Sequence, residues 1–283
     1  MRQLITSLLW LALAAAASST AWAQAYCALR DPVRQVYELY PGATSYRSIV
    51  RTVGAKHRLI IAERLPFTMH FTELGRHTLY AALDGNKPIG LVHVRSERGQ
   101  WGLVEIAWAT DLDMRIVDFK FQRCRERAKS LLDTEEFRAQ LIGKGVGDLV
   151  GMLNSDYSGV NPSFLQVPAG AEKLAAVVIR CGAKTLAANE VVWGEDLKEI
   201  RHLNRGLAAF EGAESVQAVT DPYSSDVRAA VEAALQGVSS AIDRSDVAVL
   251  RVRGGNNSLL GTVVRTSSDI DGQRLTKWWS VDT

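Results

Sequence analysis

The sequence predicts an α+β protein, an antiparallel β-meander packed with helices, whose strand block is repeated in degenerate form near the C terminus. Three observations carry this expectation. Between Thr78 and Gln122, four apolar stretches alternate with turn residues. Segments with helical spacing of apolar residues flank that block on both sides. The strand blocks also echo one another. Aligning Gly90 with Gly261 brings Trp108 onto Trp279 and Asp111 onto Asp282, with eighteen residues from Gly to Trp in both cases. Gly85-Asn86 and Gly255-Asn256 correspond with a one-residue offset, and the second copy stops after its third strand.

Taken in order, Asp31-Pro32 suits the start of a helix, because Asp caps well and Pro fits the first helical position. Val33, Val36, Tyr37 and Tyr40 share one face, and Pro41-Gly42 stops it. Tyr46 to Val53 is a second apolar-rich stretch. The meander is Leu79–Leu83, the turn Asp84-Gly85-Asn86, Ile89–Val94, the turn Arg98-Gly99-Gln100, Leu103–Ala109, the turn Asp111–Asp113 and Ile116–Phe121. Leu131 to Ile142 reads as one helix with Leu132, Phe137, Leu141 and Ile142 inward, followed by a glycine-rich exit through Gly143, Gly145, Gly147 and Gly151. Tyr157 to Pro168 reads as loop, Ala171 to Ile179 as a helix and Ala183 to Leu207 as another. After Asp221-Pro222 come a helix over Asp226–Ile242 and strands over Val247–Val252, Leu259–Thr266 and Leu275–Val281. The expected organisation is a signal over 1–23, a main domain over 24–212 and a C-terminal helix-plus-meander over 221–283.

The signal rests on Arg2, the apolar run Leu4–Ala17 and the small residues Ala21 and Ala23 around Trp22. The run falls short of the roughly 20 residues that a spanning helix needs. Tyr26 stands where lipidation of Cys27 would require a small residue. The expectation is cleavage, export to the periplasm and no later membrane span. A net charge of +2, with both signs interspersed, gives no electrostatic case for nucleic acid. The three cysteines, Cys27, Cys124 and Cys181, permit at most one bridge, and no C-x-x-C pair supports zinc-ribbon, thioredoxin-like or c-type haem chemistry.

The stretch from Gly90 to Lys144 carries a more specific pattern. It runs Ile89-Gly90-Leu91-Val92, then Val104 through Asp111, then Arg115-Ile116-Val117-Asp118-Phe119, and ends in Phe137-Arg138-Ala139-Gln140-Leu141-Ile142-Gly143-Lys144. Upstream stands Glu38-Leu39-Tyr40-Pro41-Gly42-Ala43. In this order the pieces resemble the FMN-binding domain of the C subunit of the sodium-translocating NADH:quinone oxidoreductase and the G subunit of the Rnf complex, over roughly residues 38 to 205. The resemblance implies an electron-transfer flavoprotein, or an accessory subunit that partners a membrane redox complex. The family's attachment motif, Ser-Gly-Ala-Thr-x-Thr/Ser at a helix start, corresponds to Cys181-Gly182-Ala183-Lys184-Thr185. Lys184 stands where the esterified threonine should be, and an ammonium cannot form that phosphoester. The family's Glu-Thr-Pro-Gly turn corresponds to Glu126-Arg127-Ala128-Lys129. The implied cofactor is therefore non-covalent FMN, its phosphate on the amides of Gly182 and Ala183 at a helix start, with Lys184 as counter-charge and Arg123, Arg125 and Arg127 within reach.

Other residues read as structural. Gly143 to Gly147 lacks the spacing of a nucleotide loop. His70, His77 and His93 match no metal-ligand template. Trp108, Trp278 and Trp279 suit core or interface packing. Two function classes follow. One is the FMN-dependent electron carrier. The other is a cofactor-free binding or assembly module on the same scaffold, recognising another exported protein through strand edges or the C-terminal block.

Overall fold

The computed structural model describes residues 31–236, 247–270 and 273–282. The expected signal segment and Cys27 lie outside the described residues, as does the end of the expected helix Asp226–Ile242 beyond Gln236.

Two antiparallel meanders form the framework, and the architecture is α+β. Helix α1 (Val33–Leu39) leads to β1 (Ser45–Val53), α2 (Ala55–Arg64), a single 3-10 turn (Phe71–Glu73), β2 (Gly75–Asp84), β3 (Lys87–Arg98), β4 (Leu103–Thr110) and β5 (Ile116–Arg123). These five strands lie in the order β1-β2-β3-β4-β5. Three short helices follow, α3 (Lys129–Leu132), α4 (Glu135–Ala139) and α5 (Val146–Gly151). Two long ones come next, α6 (Glu172–Val192) and α7 (Gly194–Ala209). The C-terminal part is β6 (Ser215–Val219), α8 (Arg228–Gln236), β7 (Ala248–Arg253), a 3-10 turn (Gly255–Asn257), β8 (Leu259–Ile270) and β9 (Gln273–Asp282), with strand order β6-β7-β8-β9.

The first sheet is covered on both faces. One face packs on α1 through Val36, Leu39, Tyr40, Ala82, Val92, Val94, Ala107 and Ala109. The other meets α2, α6 and the first half of α7, where Ile61, Leu79, Ile106, Trp108, Phe119, Val178, Leu186 and Ile200 join one core. No helix among the described residues is long and apolar enough to cross a membrane.

Several element boundaries differ from expectation. The single helix over 131–142 is two, because Thr134 caps a new start by accepting from the Phe137 amide at 3.3 Å. Ile142, expected inward, is exposed. The glycine-rich exit contains α5, whose first turn is tied by the Asp148 carboxylate accepting from the Gly145 amide at 2.8 Å. The expected break between residues 179 and 183 does not occur. Helix α6 continues to Val192 and the chain turns at Trp193 instead. Gly182 marks a close approach, not a terminus. A Cβ there would sit 2.9 Å from the Trp108 ring, so the missing side chain is what lets α6 lie on β4. Helix α2 and strand β6 were not anticipated, and β6 joins the C-terminal sheet from between the two expected domains.

The echo in the sequence has a counterpart in backbone pairing. In the first sheet Ser45 pairs with Leu83, and in the second Ser215 pairs with Arg253. Ala82 pairs with Gly90 just before a register shift, and Val252 pairs with Gly261 at the same kind of shift. His93 pairs with Trp108, and Val264 pairs with Trp279. The helices follow suit, since α2 buries Ile61 and α8 buries Val231, each between the first two strands of its sheet. Most telling are the two glycines. A Cβ on Gly90 would lie 2.2 Å from the Tyr40 ring, and one on Gly261 would lie 2.3 Å from the Phe210 ring. Each aromatic ends the helix that precedes its meander and sits in the gap its glycine leaves. The elements of the two halves run in the same order, α-β-α-β-β-β, and the first half adds β5 beyond β4.

Candidate functional site

Cys181 to Thr185 lie in the interior of α6, and all five are buried. Their amides belong to the helical ladder and are not free donors at a helix start. The expected phosphate seat at Gly182 and Ala183 is therefore corrected. Gly182 is not a helix terminus; its missing side chain accommodates the Trp108 ring.

The side chains of this segment face a polar stripe on β3, where His93, Arg95 and Glu97 point to one face by strand periodicity and are buried. Lys184 Nζ lies 2.9 Å from Glu73 Oε1 and 2.8 Å from Glu97 Oε2. Arg95 Nη2 donates to Glu73 Oε2 at 3.0 Å, with both side chains almost fully inaccessible. The Glu73 carboxylate also accepts from the His70 amide at 2.8 Å, which fixes the 3-10 turn that presents it. Two carboxylates and two cations thus close a neutral cluster inside the core. Burial alone would raise the Glu73 pKa, but Arg95 and Lys184 outweigh it and hold the carboxyl below its ordinary value.

Neighbouring groups complete the stripe. Trp108 Nε1 donates to Cys181 Sγ at 3.5 Å, and burial pushes the Cys181 thiol up to about 12, so it stays protonated and unreactive. Thr185 Oγ1 donates back to the Cys181 carbonyl at 2.7 Å, which occupies the one hydroxyl near the expected attachment point. His93 Nδ1 and Asn189 Oδ1 are 2.6 Å apart, and the His93 ring stands edge-on to Trp193 at 5.1 Å. His77 Nε2 lies 2.9 Å from the Glu73 carbonyl. Burial lowers both histidines, aided by the Arg95 charge, with His77 near 3 and His93 well below its ordinary value. Both are neutral at physiological pH, and among the described residues no group of three or more His, Cys, Asp or Glu could hold a metal ion.

Glu126 is elsewhere. Its carboxylate accepts from the Trp101 amide at 2.7 Å and braces the β3–β4 turn. Arg127 stacks over the Trp101 ring at 5.6 Å, and Arg123 pairs with Glu105 at 3.6 Å. Neither arginine is committed to residues 181–185. The residues present do not fit a flavin phosphate. Lys184 is already neutralised by two carboxylates, and a further dianion would meet Glu73 and Glu97. A surface hollow of about 610 Å³ lies at the far end of α6, lined by Arg51, Arg64, Glu190 and Asp196 among others, and is crossed by the pairs Arg51–Asp196 and Arg64–Glu190.

Glu73, Arg95, Glu97 and Asn189 were not anticipated from sequence. The available signal was His-x-Arg-x-Glu over 93–97, charged residues at period two within an apolar strand. No family model matches the chain, and no curated protein matches it.

Proposed function

We propose that the protein works after export to the periplasm as a cofactor-free binding module that recognises another protein. The observation that supports this reading most directly is Lys184. At the position where flavin attachment was expected, it is locked between Glu73 and Glu97 in the core. An ion cluster of this kind holds its charges against one another in the core, with Arg95 Nη1 and His93 Nε2 left without a hydrogen-bond partner among the described residues. The thiol beside it is held protonated, and the two buried histidines are held neutral. What the molecule offers to a partner is surface, including the outer strands of its two sheets.

The test is spectroscopic. Protein isolated from its native compartment should show no absorbance in the flavin bands, and FMN added in excess should not co-elute on gel filtration. Lys184→Thr should not confer flavin attachment in the presence of a flavin transferase. A stoichiometric yellow chromophore, in the isolated protein or after reconstitution, sinks the proposal.

A further inference from the structure

We propose that the basic surface where β5 leaves the first sheet is the partner-binding site, and that it takes an acidic polypeptide segment with carboxylates at alternate residues. This rests on the binding-module reading above and specifies its surface. The chain leaves β5 through Arg123, Cys124, Arg125, Glu126 and Arg127. Exposure alternates along it, with the three arginines exposed and the two residues between them half-buried. This segment packs on the β3–β4 turn. The Glu126 carboxylate accepts from the Trp101 amide at 2.7 Å, and a Cβ on Gly99 would collide with the same carboxylate. Arg127 stands over the Trp101 ring, 5.6 Å from its centre, and Trp101 is 53% exposed. Arg98, the last residue of β3, is exposed beside that turn.

Charge and spacing specify the occupant. Elsewhere on the surface Arg51, Arg64 and Arg115 are each answered by a carboxylate. The side chains of Arg98, Arg125 and Arg127 have no ion pair or hydrogen bond among the described residues, and Arg123 has only Glu105 at 3.6 Å. Glu126, the carboxylate within the segment, is spent on the Trp101 amide. Three guanidinium groups are thus left unneutralised on one surface, and their forked donors match carboxylates two bonds at a time. Arginines on alternate residues call for acidic residues on alternate positions of an extended partner, roughly 7 Å apart along one side of it. Exposed tryptophan and arginine are also the side chains on which protein–protein affinity concentrates. A peptide fits better than a lipid surface, because Arg127 keeps a cation on the ring that a bilayer would have to admit.

The test uses the full mature chain and three labelled peptides. One is four Glu-Ser repeats, the second is four Gln-Ser repeats, and the third is four glutamates followed by four serines. Binding is read by anisotropy of the label, and its place by amide hydrogen exchange. The Glu-Ser peptide should bind and slow exchange over Gly99–Leu103 and Arg123–Ala128. The Gln-Ser peptide should not bind, and the block peptide should bind about two- to fivefold more weakly than its alternating isomer. Arg125→Ala combined with Arg127→Ala should weaken the Glu-Ser peptide about tenfold, as expected for two exposed charge pairs. Removing two exposed arginines of β1 and β2 instead, Arg47→Ala with Arg76→Ala, should change it less than about twofold. Equal binding of the Gln-Ser or block peptide, equal losses in the two double variants, or protection elsewhere overturns the site. Phosphatidylglycerol vesicles that displace the Glu-Ser peptide, and lose binding in the Arg125/Arg127 variant, also overturn it, because lipid is then the occupant. These failures leave the binding-module reading intact, whereas a flavin spectrum removes that reading whatever the peptides do.

Discussion

The two meanders share a register but not an interior. In the first, the β3 positions 93, 95 and 97 carry His, Arg and Glu, and α6 lies over them with Lys184 and Asn189. In the second, the positions matched to 93 and 95 are Val264 and Thr266. There Val264 packs with Val231 and Val249 of α8 and β7, and Thr266 Oγ1 accepts from Trp279 Nε1 at 3.2 Å. The backbone scaffold therefore accommodates either a charged or an apolar filling at these positions. What the scaffold does not vary is the aromatic-over-glycine contact that joins each leading helix to its sheet.

The largest test of this contrast is a pair of substitutions. Lys184→Met removes the cation that Glu73 and Glu97 share and leaves Glu73 with Arg95 alone. Urea unfolding should show a loss of about 3–5 kcal/mol, the usual penalty for orphaning a buried charge. Thr266→Val in the second sheet removes one neutral hydrogen bond and should cost about 1 kcal/mol. Comparable losses would mean that the buried charges are no more demanding than a hydroxyl. Next come the two glycines. Gly90→Ala should cost about 1–3 kcal/mol by displacing Tyr40, and Gly261→Ala at least as much, because its Cβ would meet the Val281 carbonyl at 2.7 Å as well as the Phe210 ring. A large cost at one and none at the other would break the structural equivalence of the halves.

Acid should separate the halves as well. His77 titrates near 3 in the folded protein and near 6.5 when unfolded, so between those values the unfolded chain binds the extra proton. Its contribution is intact above pH 6.5 and is lost progressively as pH falls toward 3. The depressed Glu73 pKa acts in the same direction at lower pH, since that contribution is lost as its carboxyl protonates. Amide protection factors in β2 and β3 should therefore fall on acidification more than those in β7 and β8. The smallest effect is expected at Arg205, whose guanidinium lies 4.8 Å over the Trp278 ring. Arg205→Ala should cost about 0.5 kcal/mol by thermal denaturation, with the first sheet unaffected.

The meander was legible because its turns are chemically explicit. Gly85 sits at φ +57°, and the two-residue loop Gly85-Asn86 between Asp84 and Lys87 is the turn that such a dipeptide forms. The repeat was legible too, through Gly90, Trp108 and their counterparts. The interior of α6 was not. A glycine within an apolar helical pattern can either end the helix or admit a ring, and only the position of Trp108 decides between them. The ion cluster was hidden for a related reason. Glu73 and Lys184 are 111 residues apart, and no periodicity links a 3-10 turn to the middle of a helix. Helix α2 is hidden in the sequence because Leu59, Ile60 and Ile61 are consecutive, not spaced along one face, and only Ile61 is buried.

Helix α7 belongs to both halves at once. Its Leu197 and Ile200 finish the core under the first sheet, while Ala209 and the Phe210 that follows it start the core of the second. No cut along the chain separates the meanders without stripping one of them of its lining. Proteolysis or truncation at this junction should leave at least one piece with part of its core exposed. The molecule, although doubled in plan, shares one helix between the linings of its two sheets.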